Sequence, residues 1–122
     1  MNVLIFTGRV AESPALTQHG DTSVCRFTLI RNEYRGVDGT GNARDERKVA
    51  IPFALFRGRA DAFAKNVRTG DQVIVQARIE NNDYADKDGN TKHGYNFVAD
   101  DWEFGAPGAQ SRALLESRRP EA

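Results

Sequence analysis

Cysteine is nearly absent from this sequence of 122 residues, with Cys25 as its single representative. A lone cysteine excludes an internal disulfide and a cysteine-based metal site, and it suits a reducing compartment. Long apolar runs are also missing: the longest one near the amino terminus, residues 3–6, is far too short for a signal peptide or a membrane span. We therefore expect a cytoplasmic protein in which Cys25 is a small buried side chain of a strand.

The chain also lacks a net charge, because seventeen basic and seventeen acidic residues cancel. Its overall charge therefore predicts no partner. Any surface that binds nucleic acid has to come from the local placement of side chains.

Motifs of catalysis and metal binding are missing too. The sequence has no glycine-rich phosphate loop before a helix and no nucleophile elbow. His19 and His93 are far apart and lack the spacing of metal ligands. Asp100 and Asp101 are adjacent, and adjacent residues of a strand point to opposite faces, so they cannot share a substrate. We expect no enzymatic activity, no cofactor and no metal ion.

The clearest local pattern is a strand, a helix and a strand within residues 49–79. Residues 49–56 are apolar and rich in β-formers, and residues 72–79 alternate as a strand with one buried face does. Between them, apolar residues at helical spacing predict a helix of two to three turns that ends before Gly70. These residues are Ala60, Phe63, Ala64 and Val67.

Three further strands are expected at residues 2–10, 24–30 and 95–104. Gly8 interrupts the first, as glycine does where a small barrel turns a corner. The near-continuous apolarity of residues 3–7 indicates burial on both faces, one of them against another subunit. Residues 11–22 are interpreted as a polar connection, 31–48 as a long loop, and 81–94 as a hairpin with its tip at residues 88–90.

This order of elements describes an all-β OB-fold, a five-stranded Greek-key barrel with one short helix between strands 3 and 4. The barrel domain is expected to span residues 1–105. Residues 106–122 are expected to form a short flexible tail with at most a turn or two of helix.

Short segments along this barrel resemble the bacterial single-stranded DNA-binding protein family. They occur in the family's order and with nearly its spacing: residues 2–10, Ser13-Pro14, 27–29, Asn32-Glu33, Leu55-Phe56, Ala60, 70–73, 86–89 and 98–100. The resemblance implies an OB-fold that assembles as a homodimer or homotetramer. It also implies binding of single-stranded DNA without sequence preference, which protects the strand during replication, recombination or repair.

The resemblance also implies site residues, since single strands bind through aromatic faces beside Lys and Arg. Phe56 and Tyr84 fall on positions that resemble the family's stacking aromatics. Tyr34 lies near another, in a segment one residue short. The basic residues around the two long loops are the candidates for phosphate contacts: Arg31, Arg35, Arg47, Lys48, Arg57, Arg59, Arg78, Lys87 and Lys92.

Three departures from the family weaken these expectations. Ala50 stands where the family has an aromatic residue, and Pro52 where it has a basic one. Residues 80–83 are Glu-Asn-Asn-Asp where the family is rich in Arg and Lys, which adds repulsion for phosphates. The family's acidic tip is absent, so replication proteins are not expected to be recruited through it.

Alternatives remain open. Phe56 taken alone is typical of a core residue. Tyr84 and Tyr95 would also fit as partners across a hairpin. Residues 31–48 would also fit a charge-balanced, solvated loop. A second hypothesis is an OB-fold protein-interaction or primosome-type assembly subunit with weak DNA binding. The sequence does not distinguish a dimer from a tetramer, or a preference for DNA from one for RNA.

Overall fold

The computed structural model describes residues 1–33, 37, 39–41 and 47–117. The elements within these residues are β1 (Leu4–Val10), β2 (Ala15–His19), β3 (Thr22–Glu33), β4 (Arg47–Phe56), α1 (Gly58–Asn66), β5 (Gln72–Asn81), β6 (Tyr84–Ala85), β7 (Thr91–Lys92), β8 (Tyr95–Phe104) and α2 (Ala109–Ser117). None of the described helices is long and apolar enough to cross a bilayer.

The main sheet has six strands in the order β1-β5-β8-β4-β3-β2, and an additional pairing of β1 with β3 closes it into a barrel. Closure depends on β1, which pairs with β5 from Leu4 to Arg9 and with β3 at Arg9 and Val10. Gly8 lies at this change of partner, where a Cβ atom would stand 2.9 Å from the carbonyl oxygen of Ile30. The predicted OB-fold is confirmed, and Gly8 occupies the predicted corner.

Aromatic rings fill the core. The ring of Phe27 stacks on those of Phe63, at a centroid distance of 4.1 Å, and Phe53, at 5.6 Å. Phe63 comes from α1, which buries Ala60 and Phe63 against the barrel, and Val67, the residue directly after the helix, is buried as well. The predicted helix is therefore correct in its position and in the face that it buries.

One segment differs from the sequence-based expectation. The interpretation of residues 11–22 as a connection was wrong for part of its length, because β2 pairs with β3 from Ala15 to His19. Every residue of β2 is exposed, so the strand has no apolar alternation by which it could be recognised. The tail contains α2, which buries no residue of its own.

A buried carboxylate holds the start of α2 against the barrel. Asp71 is fully buried and accepts hydrogen bonds from the Gly108 N–H at 2.8 Å, the Arg68 N–H at 2.9 Å and the Ser111 hydroxyl at 2.8 Å. Through Gly108 and Ser111, these hydrogen bonds connect the start of α2 to the turn before β5.

Candidate nucleic-acid interface

A groove of about 360 Å³ lies along the seam between β4 and β8. These parallel strands are paired at one position, Ala54 with Val98, so their backbones leave a concave surface on either side of it. The walls carry Phe56 from β4 and Tyr95 from β8. Such a cleft, with aromatic walls, is of the kind that takes a flat ring.

The alternation of β4 places Phe56 on the outer surface. Phe53 and Leu55 point into the core, whereas Phe56 is 42% exposed at the end of the strand. The same outer face of β3 carries Arg26, which is directly opposite Ala54 in the ladder. A cationic side chain and an aromatic ring therefore line the same groove.

The two hairpin tyrosines lie in different places. Tyr95 is 65% exposed and lines the groove, whereas Tyr84 is 56% exposed on β6, opposite Lys92, outside the groove. The structure thus brings Phe56 together with Tyr95 and not with Tyr84. Sequence reasoning noted that Tyr95 lies in polar surroundings but did not include it among the site residues.

Two other groove residues were not predicted. Arg26 could have been predicted from the alternation of β3. It lies on the same face of the β3–β4 pair as Phe56, because Arg26 is opposite Ala54 and Val24 is opposite Phe56. Glu12, from the segment between β1 and β2, also lines the groove. Its position depends on how that segment folds over β3, for which the sequence carries no periodic signal.

The groove has a mixed charge. Glu80 joins Glu12 on its walls, opposite in sign to Arg26. Of residues 80–83, which were expected to work against phosphate binding, Glu80 lines the groove. The two carboxylates make the groove less favourable for an anion than a groove lined by cations alone.

A second cleft, of about 450 Å³, adjoins the groove at Phe56 and is flanked by Arg57, Arg59 and Arg78. Arg78 binds the carboxylates of Glu80, at 3.0 Å, and Asp100. The hydrogen bond with Glu80 and the charge of Asp100 raise the pKa of Arg78 above its usual value. Much of the positive charge of Arg78 is therefore compensated within the protein.

The carboxylates of β8 explain this pairing. The β5–β8 ladder shifts register between Gln76 and Ala77, so β8 carries one extra residue, Asp100. Asp100 meets Arg78, and Asp101 lies 3.8 Å from Arg59. Despite the bulge, Asp100 and Asp101 line different cavities, as the expectation that they do not share a substrate requires.

The remaining predicted cations are more scattered. Arg47 and Lys48 begin β4, and Lys48 shares the outer face of Phe56 beyond Pro52 and Ala50. Arg31, from β3, and Lys87, from the hairpin tip, lie outside the groove, and Lys92 is 3.8 Å from Asp86. Tyr34 and Arg35 lie outside the described residues.

No group of three or more His, Cys, Asp or Glu side chains is arranged to hold a metal ion within the described ranges. Burial raises the pKa of the Cys25 thiol to about 11, so this side chain stays protonated at neutral pH and is a core residue.

Solved structures with the same fold include two that resemble this one over most of its length. A small single-stranded DNA-binding protein from Streptomyces coelicolor aligns with a TM-score of 0.66 at 18% identity, covering 84% of this chain and 93% of that one. The SSB of Plasmodium falciparum, in complex with single-stranded DNA, aligns with a TM-score of 0.71 at 19% identity, covering 86% and 95%. Both likenesses concern the fold.

Curated relatives resemble the chain at the level of sequence. Single-stranded DNA-binding protein 1 of Clostridium acetobutylicum is 27% identical over 107 residues, which are 85% of this chain and 93% of that protein. A single-stranded DNA-binding protein of Deinococcus radiodurans is 30% identical over 95 residues, 76% of this chain but 30% of that longer protein. The model of the single-strand binding protein family matches residues 1–105. The chain therefore belongs to the single-strand binding protein family.

Proposed function

We propose that this protein binds single-stranded DNA without sequence preference and protects it during replication, recombination or repair. The observation that carries the proposal is Phe56, an exposed aromatic ring on the wall of the groove between β4 and β8. Stacking of a base on an aromatic side chain contributes about 1 to 3 kcal/mol and tolerates every base.

In the proposed mode, bases enter the groove and stack on Phe56 and Tyr95, while phosphates follow its rim. Arg26, Arg57 and Arg59 stand closest to this path, because they line the groove or the adjoining cleft. Tyr84, Lys87 and Lys92 are proposed contacts for a longer strand that leaves the groove over the hairpin. Further contacts with the strand are proposed around the connection between β3 and β4, from Arg31, Tyr34, Arg35, Arg47 and Lys48.

Affinity should be moderate. Glu12 and Glu80 repel phosphates from the groove, and Arg78 is already bound to two carboxylates. Fewer phosphate contacts mean fewer released counterions and therefore a shallower dependence of binding on salt.

We further propose that the protein acts in the cytoplasm as a homodimer or homotetramer and has no catalytic activity. Ile5 of β1 is 67% exposed and lines a cavity together with Ile74, and Val3, just before β1, is 50% exposed. An exposed apolar strand of this kind is typical of a face covered by a second copy. The absence of catalysis follows the family, whose model describes a binding protein.

The test is fluorescence anisotropy of a labelled poly-thymidine oligonucleotide at about 50 and 200 mM salt, with the matching duplex as competitor. We expect submicromolar, salt-sensitive binding that duplex does not compete. Phe56→Ala should weaken it by about 1 to 3 kcal/mol. Phe104→Ala is the matched control, because Phe104 is 50% exposed but lines a different cavity beside α2.

A second function is favoured by one observation: the two carboxylates on the groove walls, Glu12 and Glu80. They fit a protein-interaction or primosome-type assembly subunit in which DNA binding is weak. Undetectable or salt-insensitive binding by an intact oligomer would support this function and overturn the first.

A further inference from the structure

Arg57 has a backbone conformation that residues with a side chain rarely adopt, with φ 64° and ψ −137°. Glycine reaches this region without a steric conflict, whereas a Cβ atom is strained there. Hydrogen bonds on both sides hold it in place. Its N–H donates to the Ser23 carbonyl at 2.7 Å, and its own carbonyl accepts from the Ala60 N–H at 3.0 Å.

The three arginines around the cleft beside Phe56 differ in their partners. Arg78 is bound by two carboxylates, and Arg59 has Asp101 at 3.8 Å. In the described part of the chain, no carboxylate lies within ion-pair distance of Arg57. Arg57 therefore carries the uncompensated positive charge of this cleft.

We infer that Arg57 binds the phosphate next to the base stacked on Phe56. This inference rests on the proposed function. Arg57 follows Phe56 in the chain and lines the same cleft, so a phosphate next to the stacked base would lie beside Arg57. Glu80 lines both the groove and the cleft, so its negative charge disfavours a phosphate on that side. The strained backbone of Arg57 is thus coupled to binding: the fold would be more stable with glycine here, but it would lose this contact.

Arg57→Gly separates the two effects. We expect the melting temperature of the variant to rise by about 5 °C, because strain is removed. The slope of log affinity for poly-thymidine against log salt should become shallower by about 0.7, the change for one phosphate contact on a single strand. Arg57→Lys should keep both the slope and the melting temperature of the wild type, since its charge and its strain persist.

Arg112→Ala is the control for a general loss of charge. Arg112 is exposed on α2, beside the carboxyl end of α1, whereas Arg57 precedes its amino end. This variant should leave the slope unchanged.

The outcomes distinguish the inference from the function on which it rests. Salt-sensitive binding by the wild type with the same slope in Arg57→Gly overturns the role of Arg57 and leaves the proposed function intact. A lower melting temperature of Arg57→Gly overturns the strain argument. Absence of wild-type binding overturns the proposed function together with the inference.

Discussion

The carboxylate of Asp71 accepts a hydrogen bond of 2.8 Å from the backbone N–H of Gly108, across 37 residues of sequence. Gly108 is buried against Gly70, where a Cβ atom on Gly108 would approach the Gly70 carbonyl carbon to 2.5 Å. This contact joins the segment before α2 to the turn that precedes β5. The segment following β8 is therefore attached to the barrel by a buried charge.

Asp71→Ala should destabilise the protein by about 3 kcal/mol, because a buried N–H, a second N–H and a hydroxyl lose a charged acceptor together. The midpoint of urea unfolding measures this change. Glu116→Ala is the control, since Glu116 is exposed on α2 and should stay within about 0.5 kcal/mol of the wild type. An unchanged midpoint for Asp71→Ala would contradict the structural role of the carboxylate.

Acid should weaken this attachment. Burial works to raise the pKa of Asp71, but the hydrogen bonds from Gly108, Arg68 and Ser111 outweigh it and lower the pKa below its usual value. The unfolded chain therefore binds the proton more tightly than the folded one. The stabilising contribution is complete above the unfolded pKa of about 3.9 and is lost as the pH falls through the lower, folded pKa.

Urea midpoints of the wild type and Asp71→Asn between about pH 6 and pH 2 measure this dependence. The difference between the two proteins should shrink as the pH falls. A constant difference over this range would show that the pKa of Asp71 is the same in the folded and unfolded states.

Gly8→Ala should destabilise the barrel by about 1 to 3 kcal/mol, because the added methyl group meets the Ile30 carbonyl and the Leu29 side chain at the closing corner. Thermal unfolding measures the loss. Gly58→Ala provides the comparison, since a Cβ there lies in open space in the first turn of α1 and should stabilise by about 0.5 to 1 kcal/mol. Equal stability of Gly8→Ala and the wild type would show that the corner accommodates the added methyl group without strain.

Tyr95→Ala should weaken poly-thymidine binding more than Tyr84→Ala does. Tyr95 lines the groove with Phe56, whereas Tyr84 lies outside it. We expect about a tenfold loss for Tyr95→Ala, equivalent to about 1.4 kcal/mol for one stacked base. Anisotropy titrations of both variants at one salt concentration decide the order, and a larger loss for Tyr84→Ala would place the strand on the hairpin instead.

Local patterns were enough for most of the barrel. Apolar residues predict which face of each element is buried. In β5 they alternate, and from Ala60 through Phe63 to Val67 they follow helical spacing. The strand β2 has no such apolar pattern, because all of its residues are exposed. The start of α2 depends on Asp71, whose partners are distant in sequence.

The candidate site was only partly accessible to sequence reasoning. The family resemblance, and not the local pattern, favoured an exposed Phe56, and the side chain is 42% exposed. Phe56 and Tyr95 line the same groove because β4 and β8 are neighbours in the sheet, with a ladder of one pair, Ala54 with Val98. Arg78 was expected to be available for phosphates, but Glu80 and Asp100, which lies two residues beyond the ladder partner Val98 on β8, bind it.

The OB-fold, its corner at Gly8, its helix and the family resemblance could be predicted from the amino-acid sequence, because they depend on periodicity and on short ordered motifs. Three properties became visible only in the folded chain: which aromatic rings share a groove, which arginine lacks a carboxylate partner, and the strained backbone of Arg57. Those properties arise from pairings between distant strands, and distances between side chains on different strands are set by the closure of the barrel.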